Sequence, residues 1–144
     1  MKQNKKLIGI LCGIVCLLLI LLVAMPFTKE EIVDAAHNSR NSLDWDGVYT
    51  GILPCADCEG IKVTLTLNSD ETYEKSYLYL GKSETPFVFL GTFQWNDARS
   101  QITLPRDEFP ITYKVGEGKL FQLDIHGNPI TGDFADMYIL TKVQ

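Results

Sequence analysis

Cys55 and Cys58 stand three apart in the stretch Pro54-Cys55-Ala56-Asp57-Cys58-Glu59-Gly60. Two thiols at that spacing can close a small disulfide or jointly hold one soft metal ion. A thioredoxin-type redox site places its first Cys at a helix N-terminus, whose dipole lowers the thiol pKa. Here a strand-like pattern follows, and the flanking Asp57 and Glu59 push the thiol pKa up, so no enzyme is expected. Structural zinc wants four ligands, and a lone CxxC would have to recruit His126, an acidic neighbour or Met137. Cuprous ion is soft and accepts two thiolates, which makes copper the cofactor this pair could take. Outside the cytoplasm the same thiols tend to oxidise, and a disulfide would then simply fix the turn. Spacing alone leaves both uses open. Asp57 is an accessory candidate that could supply a carboxylate to a harder metal or cap the turn. His126, in His126-Gly127-Asn128-Pro129, is a second accessory candidate or a solvated turn residue. His37 is a weaker one.

The elements that must position these groups read as strands. In Lys62-Val63-Thr64-Leu65-Thr66-Leu67 the apolar residues alternate with polar ones, which puts Val63, Leu65 and Leu67 on one face. Thr72 to Leu80 carries Tyr73, Tyr77 and Tyr79 at even spacing. Similar runs are Gly47 to Leu53, Phe87 to Trp95, Gln101 to Leu104, Ile111 to Val115, Leu120 to Ile125 and Met137 to Val143. Asn68-Ser69-Asp70-Glu71, Gly116-Glu117-Gly118 and His126-Gly127-Asn128-Pro129 punctuate them as turns. The expected fold is all-β: a meander of about eight short antiparallel strands that curls into a barrel or sandwich, because closure removes exposed edges. The CxxC falls between the first two strands.

Ahead of this domain the pattern changes. Lys2, Lys5 and Lys6 precede an apolar run from Leu7 to Val23, long enough to cross a bilayer as a helix of about 20 residues. Residues 1–27 therefore read as a membrane anchor or signal segment, 28–44 as a stalk or linker and 45–144 as the β domain. The lysines stay on the cytoplasmic side, which would leave the β domain extracytoplasmic. Retention, cleavage after Ala24 and lipidation are the competing fates, and Leu11 and Val15 are poor residues to precede a lipidated Cys12 or Cys16. Thr28-Lys29-Glu30-Glu31 fits a capping box, and His37 to Ser42 reads as a polar linker. The formal net charge of -5 and pI near 4.9 exclude nucleic-acid binding, which needs a basic surface.

The stretch from Gly47 through Leu53-Pro54-Cys55-Ala56-Asp57-Cys58-Glu59-Gly60-Ile61 resembles the signature of the NlpE N-terminal domain family, copper-resistance and envelope-stress lipoproteins. The similarity continues through Asp70-Glu71-Thr72-Tyr73, Tyr79-Leu80-Gly81, Gly91-Thr92-Phe93-Gln94-Trp95 and Gly127-Asn128-Pro129-Ile130. It implies a lipocalin-like barrel in a bacterial cell envelope, on the periplasmic side of a membrane, and links Cys55 and Cys58 to metal or redox sensing. It implies copper homeostasis, surface-contact or stress sensing, and an envelope signalling protein as partner. The family's best-known member carries a second CxxC in a further domain, so sensing that depends on that pair is not expected of this sequence. Two other readings stand beside it. The barrel could bind a small hydrophobic ligand among Tyr73, Tyr77, Tyr79, Phe87, Phe89, Phe93 and Trp95, or present an edge to a protein partner, with the CxxC as a structural disulfide in either case.

Overall fold

The computed structural model describes residues 37–105 and 110–143. The membrane segment 1–27, the capping box, Cys12 and Cys16 lie outside the described residues. The chain forms a nearly closed antiparallel barrel. Its strands are β1 (Gly47–Leu53), β2 (Ile61–Leu67), β3 (Thr72–Tyr79), β4 (Phe87–Thr92), β5 (Gln94–Trp95), β6 (Gln101–Leu104), β7 (Ile111–Gly116), β8 (Lys119–Gln122) and β9 (Ile139–Lys142). They make one sheet in the order β4-β3-β2-β1-β9-β8-β7-β6-β5. Neighbours are consecutive in the chain except at β1–β9, where Tyr49 pairs with Lys142 and the first strand meets the last. The two sheet ends, β4 and β5, are one stretch of chain bent at Phe93. The single run expected over Phe87 to Trp95 thus serves two partners: β4 pairs with β3 and β5 with β6. At the bend the Phe93 amide leaves the ladder and donates to Glu71 O at 2.9 Å.

Alternation decides what fills the barrel. Val63, Leu65 and Leu67 face inward and are buried, joined by Tyr49, Tyr73, Ile102, Leu104, Tyr113, Val115, Leu120 and Leu140. Phe93, Trp45 and Trp95 pack edge to face at one end, with ring centroids 5.4–6.2 Å apart. Two other expected runs are shortened, one at its end and one at its start. Leu120 to Ile125 stops at Gln122, because Asp124 turns the chain by accepting from the amides of His126 and Asn128 at 2.9 and 2.8 Å. Met137 sits in a 3-10 helix (Ala135–Tyr138) rather than in β9.

Part of the expected linker is folded. Residues Ser39–Ser42 form a short helix, α1, capped by the Asn38 side chain. Ser39 Oγ donates to Val115 O at 3.0 Å, Arg40 pairs with Glu71 at 2.7 Å, and Trp45 Nε1 donates to Arg40 O at 3.0 Å. This segment covers the barrel end bearing the β2–β3 and β5–β6 turns. The opposite end, with the β1–β2 and β3–β4 connections, has no such cover among the described residues.

Tyr49 makes the barrel sensitive to alkali. Its hydroxyl donates to Trp45 O at 2.7 Å, and burial, aided by Asp44, Asp46 and Glu117, pushes its pKa up to about 12. An unfolded tyrosine ionises near pH 10. The folded state holds the proton longer, so its stabilisation is intact below pH 10 and is lost as pH rises from about 10 through 12. The loss reaches about 2–3 kcal/mol for this group. Tyr113 shifts in the same direction, through burial first and Tyr77 second. The midpoint of urea unfolding is expected to fall as pH rises from about 10 to 12, and to fall less steeply in Tyr49→Phe, where only the contribution of Tyr113 remains. An unchanged midpoint over that interval would contradict this assignment.

Candidate functional site

The CxxC lies in the Pro54–Gly60 connection between β1 and β2, whose strands remain in register up to Leu53 opposite Ile61. The loop is fastened to the start of the β3–β4 connection. Leu80 N donates to Gly60 O at 3.0 Å, Glu59 N donates to Leu80 O at 3.3 Å, and Lys82 forms an ion pair with Asp57. Gly60 ends the loop with φ 147°, and a Cβ there would lie 2.6 Å from Ile52 Cγ2. Glycine alone satisfies both the backbone conformation and the close approach.

Cys55 and Cys58 are joined in a disulfide, with Cα atoms 5.4 Å apart. Both residues are half-buried, and Asp57 between them is exposed. Asp57 Oδ1 lies 3.5 Å from Cys55 Sγ, and ligand atoms of Cys55, Asp57 and Cys58 all lie within 4.8 Å of one another. The Lys82 ammonium, first by hydrogen bonding and then by its charge, holds the Asp57 carboxyl below the usual carboxylate range. Asp57 is therefore ionised throughout the neutral range. Beyond Cys58 the chain enters β2, so no helix dipole bears on the thiols. A disulfide that is only half-buried can be attacked by an incoming thiolate. Once reduced, it offers two soft sulfur ligands with a carboxylate beside them.

The other expected ligands are elsewhere. His126 is exposed in the turn after β8, and its amide is used by Asp124. Neither it nor Met137, on the 3-10 helix, belongs to the Cys55–Asp57–Cys58 group. His37 sits before α1, at the covered end. The aromatics divide. Tyr73 and Phe93 are core residues and Trp95 packs against the core, whereas Tyr77, Tyr79, Phe87 and Phe89 line a cleft at the uncovered end. Sequence reasoning missed Lys75, which is buried inside the barrel at 2% exposure with its ammonium donating to the Tyr113 hydroxyl. The available signal was parity: Lys75 shares the inward face of β3 with Tyr73 and Tyr77.

Comparison with known proteins places this geometry. Lipoprotein NlpE of Escherichia coli (strain K12) is 36% identical over 87 residues, covering 60% of this chain and 37% of that protein. A 17 kDa lipoprotein of Treponema pallidum (strain Nichols) is 43% identical over 49 residues, covering 33% of this chain and 31% of that protein. The chain thus spans about a third of the length of these relatives. A crystal structure described as that of a lipoprotein from Shewanella oneidensis superposes with a TM-score of 0.67 at 51% identity, over 73% of this chain and 94% of that one. Nearly the whole of that chain thus superposes on this one. The crystal structure of the Cpx pathway activator NlpE from Escherichia coli superposes with a TM-score of 0.52 at 34% identity, over 61% of this chain and 47% of that one. The family model for the NlpE N-terminal domain matches residues 49–133, and the chain belongs to that family.

Proposed function

We propose that this protein is a membrane-tethered envelope module in which the Cys55–Cys58 pair changes state with redox conditions or cuprous ion and reports the change to an envelope signalling protein. The observation that carries the reading is the placement of a half-exposed CxxC on a loop fixed at both ends to a rigid barrel. A disulfide needed only to fix the turn would add little, because backbone hydrogen bonds to Leu80 and the Asp57–Lys82 ion pair already hold this loop. Tethering through residues 1–27 and an extracytoplasmic position follow from the lysine-flanked apolar run and agree with the lipoprotein nature of the relatives. Signalling agrees with the Escherichia coli relative's being a Cpx pathway activator.

Reduced, the pair binds one cuprous ion through Cys55 and Cys58, two thiolates being enough for this soft ion. Asp57 contributes charge rather than a preferred ligand. Titration of the reduced barrel, residues 37–144, with cuprous ion against a competing chelator is expected to saturate at one equivalent, and the oxidised barrel is expected to take none. Equal uptake by both forms would place the metal elsewhere. No uptake by the reduced form would remove copper from the account and leave redox sensing alone.

A further inference from the structure

We propose that the outer edge of β4 is a strand-addition site for an extended polypeptide segment that is apolar in its middle and basic at its ends. This inference is independent of the CxxC reading and stands or falls separately.

The two ends of the sheet are built differently. β5 is two residues long, and shortness is a common protection for an exposed edge. β4 has six residues, none of them charged and none of them proline, and Phe87, Val88, Phe89 and Leu90 are all exposed. Val88 and Leu90, 52% and 73% exposed, lie on the face of Ser76 and Glu74. Phe87, on the other face with Tyr77, is 57% exposed. An uncharged edge strand that is apolar on both faces is a ready template for another chain.

The ladder determines which backbone groups point outward. Along an antiparallel strand, alternate residues bond to one neighbour and the residues between them face the other way. Leu80 N donates to Gly60 O, so Leu78, Ser76 and Glu74 bond to β2, and Tyr77, Lys75 and Tyr73 bond to β4. Phe93 N donates to Glu71 O, and counting in twos from there gives the same phase, with Gly91, Phe89 and Phe87 bonded to β3. The N–H and C=O groups of Val88 and Leu90 therefore point away from β3. Among the described residues no strand pairs with them. Their spacing of about 7 Å matches that of alternate residues in an added strand. An alkyl chain would cover the apolar side chains and leave these backbone groups unmatched, so the occupant that fits is another backbone.

Charge selects among polypeptides. Glu84 lies three residues before Phe87, and Glu74 stands opposite Leu90. Both are exposed, and neither belongs to an ion pair among the described residues. A second copy pairing its β4 with this one would bring the same two carboxylates from each chain together, on chains that each carry a net charge of -5. A foreign segment with Lys or Arg at its ends meets Glu84 near one end of the strand and Glu74 near the other, and the acidic chain attracts it from a distance.

The probe is the blocked heptapeptide Lys-Val-Thr-Ile-Thr-Val-Lys, titrated into the full chain held in phosphatidylcholine nanodiscs, with empty nanodiscs as the blank. Two relatives accompany it: one with Glu at both ends, and one N-methylated at every amide, which keeps the side chains and cannot donate. The lysine peptide is expected to bind, the glutamate peptide about tenfold more weakly, and the methylated peptide not at all. The gap between the first two is expected to narrow as salt is raised and to vanish in the double variant Glu74→Gln, Glu84→Gln. Leu90→Pro, which removes an outward N–H and none of the bonds to β3, is expected to abolish binding. Amide hydrogen exchange read by NMR needs no variant. Val88 and Leu90 are expected to exchange fast in the free chain and slowly with the lysine peptide, whereas Phe89, already bonded to β3, is slow in both. The proposal is overturned if the lysine peptide does not bind, if the methylated peptide binds equally well, or if the glutamate peptide binds as tightly. It is also overturned if Val88 and Leu90 exchange slowly in the free chain, because the chain itself or a second copy then occupies the edge.

Discussion

Changing both cysteines to serine is expected to abolish cuprous binding by the reduced barrel while the barrel stays folded. The two effects separate because the pair lies outside the core. No core residue touches the argument for copper, and serine oxygens are hard ligands that do not replace thiolates for a soft ion. The stability cost is bounded by the shortness of the loop. A disulfide between residues three apart restricts the unfolded chain little, about 2 kcal/mol on the chain-entropy account. Backbone hydrogen bonds from Glu59 and Leu80, together with the Asp57–Lys82 pair, still hold the connection. Chelator competition and thermal melts of the same samples check both halves. Single variants are expected to lose most of the affinity, because one thiolate leaves the ion two-coordinate only if solvent or Asp57 fills in. A double variant that still binds one equivalent would detach the metal from the CxxC. A double variant that does not fold would make the disulfide a requirement of the barrel and return the pair to a structural role.

Phe93→Ala is expected to be the most damaging single truncation. Phe93 is 1% exposed and occupies the bend where β4 leaves β3 and β5 begins to pair with β6. Its ring meets Trp45 at 5.7 Å and Trp95 at 6.2 Å, both edge to face. Truncation of a buried Phe typically costs about 3–5 kcal/mol. Here it also frees the two tryptophans that stack against it, and the residue lies where the two ends of the sheet are joined. The melting temperature should fall by more than about 10 °C, whereas Phe93→Leu, which keeps most of the volume, should cost far less. The same truncation at Phe87, which is 57% exposed, should scarcely move the melting temperature. Equal effects at the two positions would contradict the corner assignment.

The legibility of this fold followed the regularity of its strands. β2 alternates buried Val63, Leu65 and Leu67 with less buried Thr64 and Thr66, and the first half of β3 alternates likewise, so these residues and Tyr73 could be placed by parity alone. Phe87 to Trp95 could not be parsed the same way. Phe87-Val88-Phe89-Leu90 is apolar on both faces, which hides the face, and the bend at Phe93 is set by its amide bonding Glu71, a contact across the fold. Counting the bent stretch as one run gives eight strands, and counting its hydrogen-bonded halves gives nine. The polar composition of His37 to Ser42 suggested a linker, yet four of those residues form α1, because Ser39, Arg40 and the Trp45 indole find partners on the barrel. The CxxC was legible as a pair because its spacing brings two sulfurs together, although spacing alone leaves disulfide and metal binding both open. Its isolation from His126 was not, since only the turn around Asp124 shows where that imidazole stands. Lys75 was passed over because a lysine between Glu74 and Ser76 reads as a solvated charge unless the parity of its neighbours is followed.

The central claim is that Cys55 and Cys58 change state rather than staple a turn, and the reduction potential of the pair tests it most directly. The barrel would be equilibrated in thiol–disulfide buffers of graded potential, its free thiols trapped by alkylation, and the oxidised fraction read by mass. Structural disulfides sit below about -300 mV and resist the glutathione pool, whereas labile and regulatory ones lie above it. The account predicts a midpoint above that value and complete reversibility, with cuprous ion stabilising the reduced form and so raising the midpoint further. A midpoint below it that copper does not move would contradict the account and make the CxxC a staple of the β1–β2 loop.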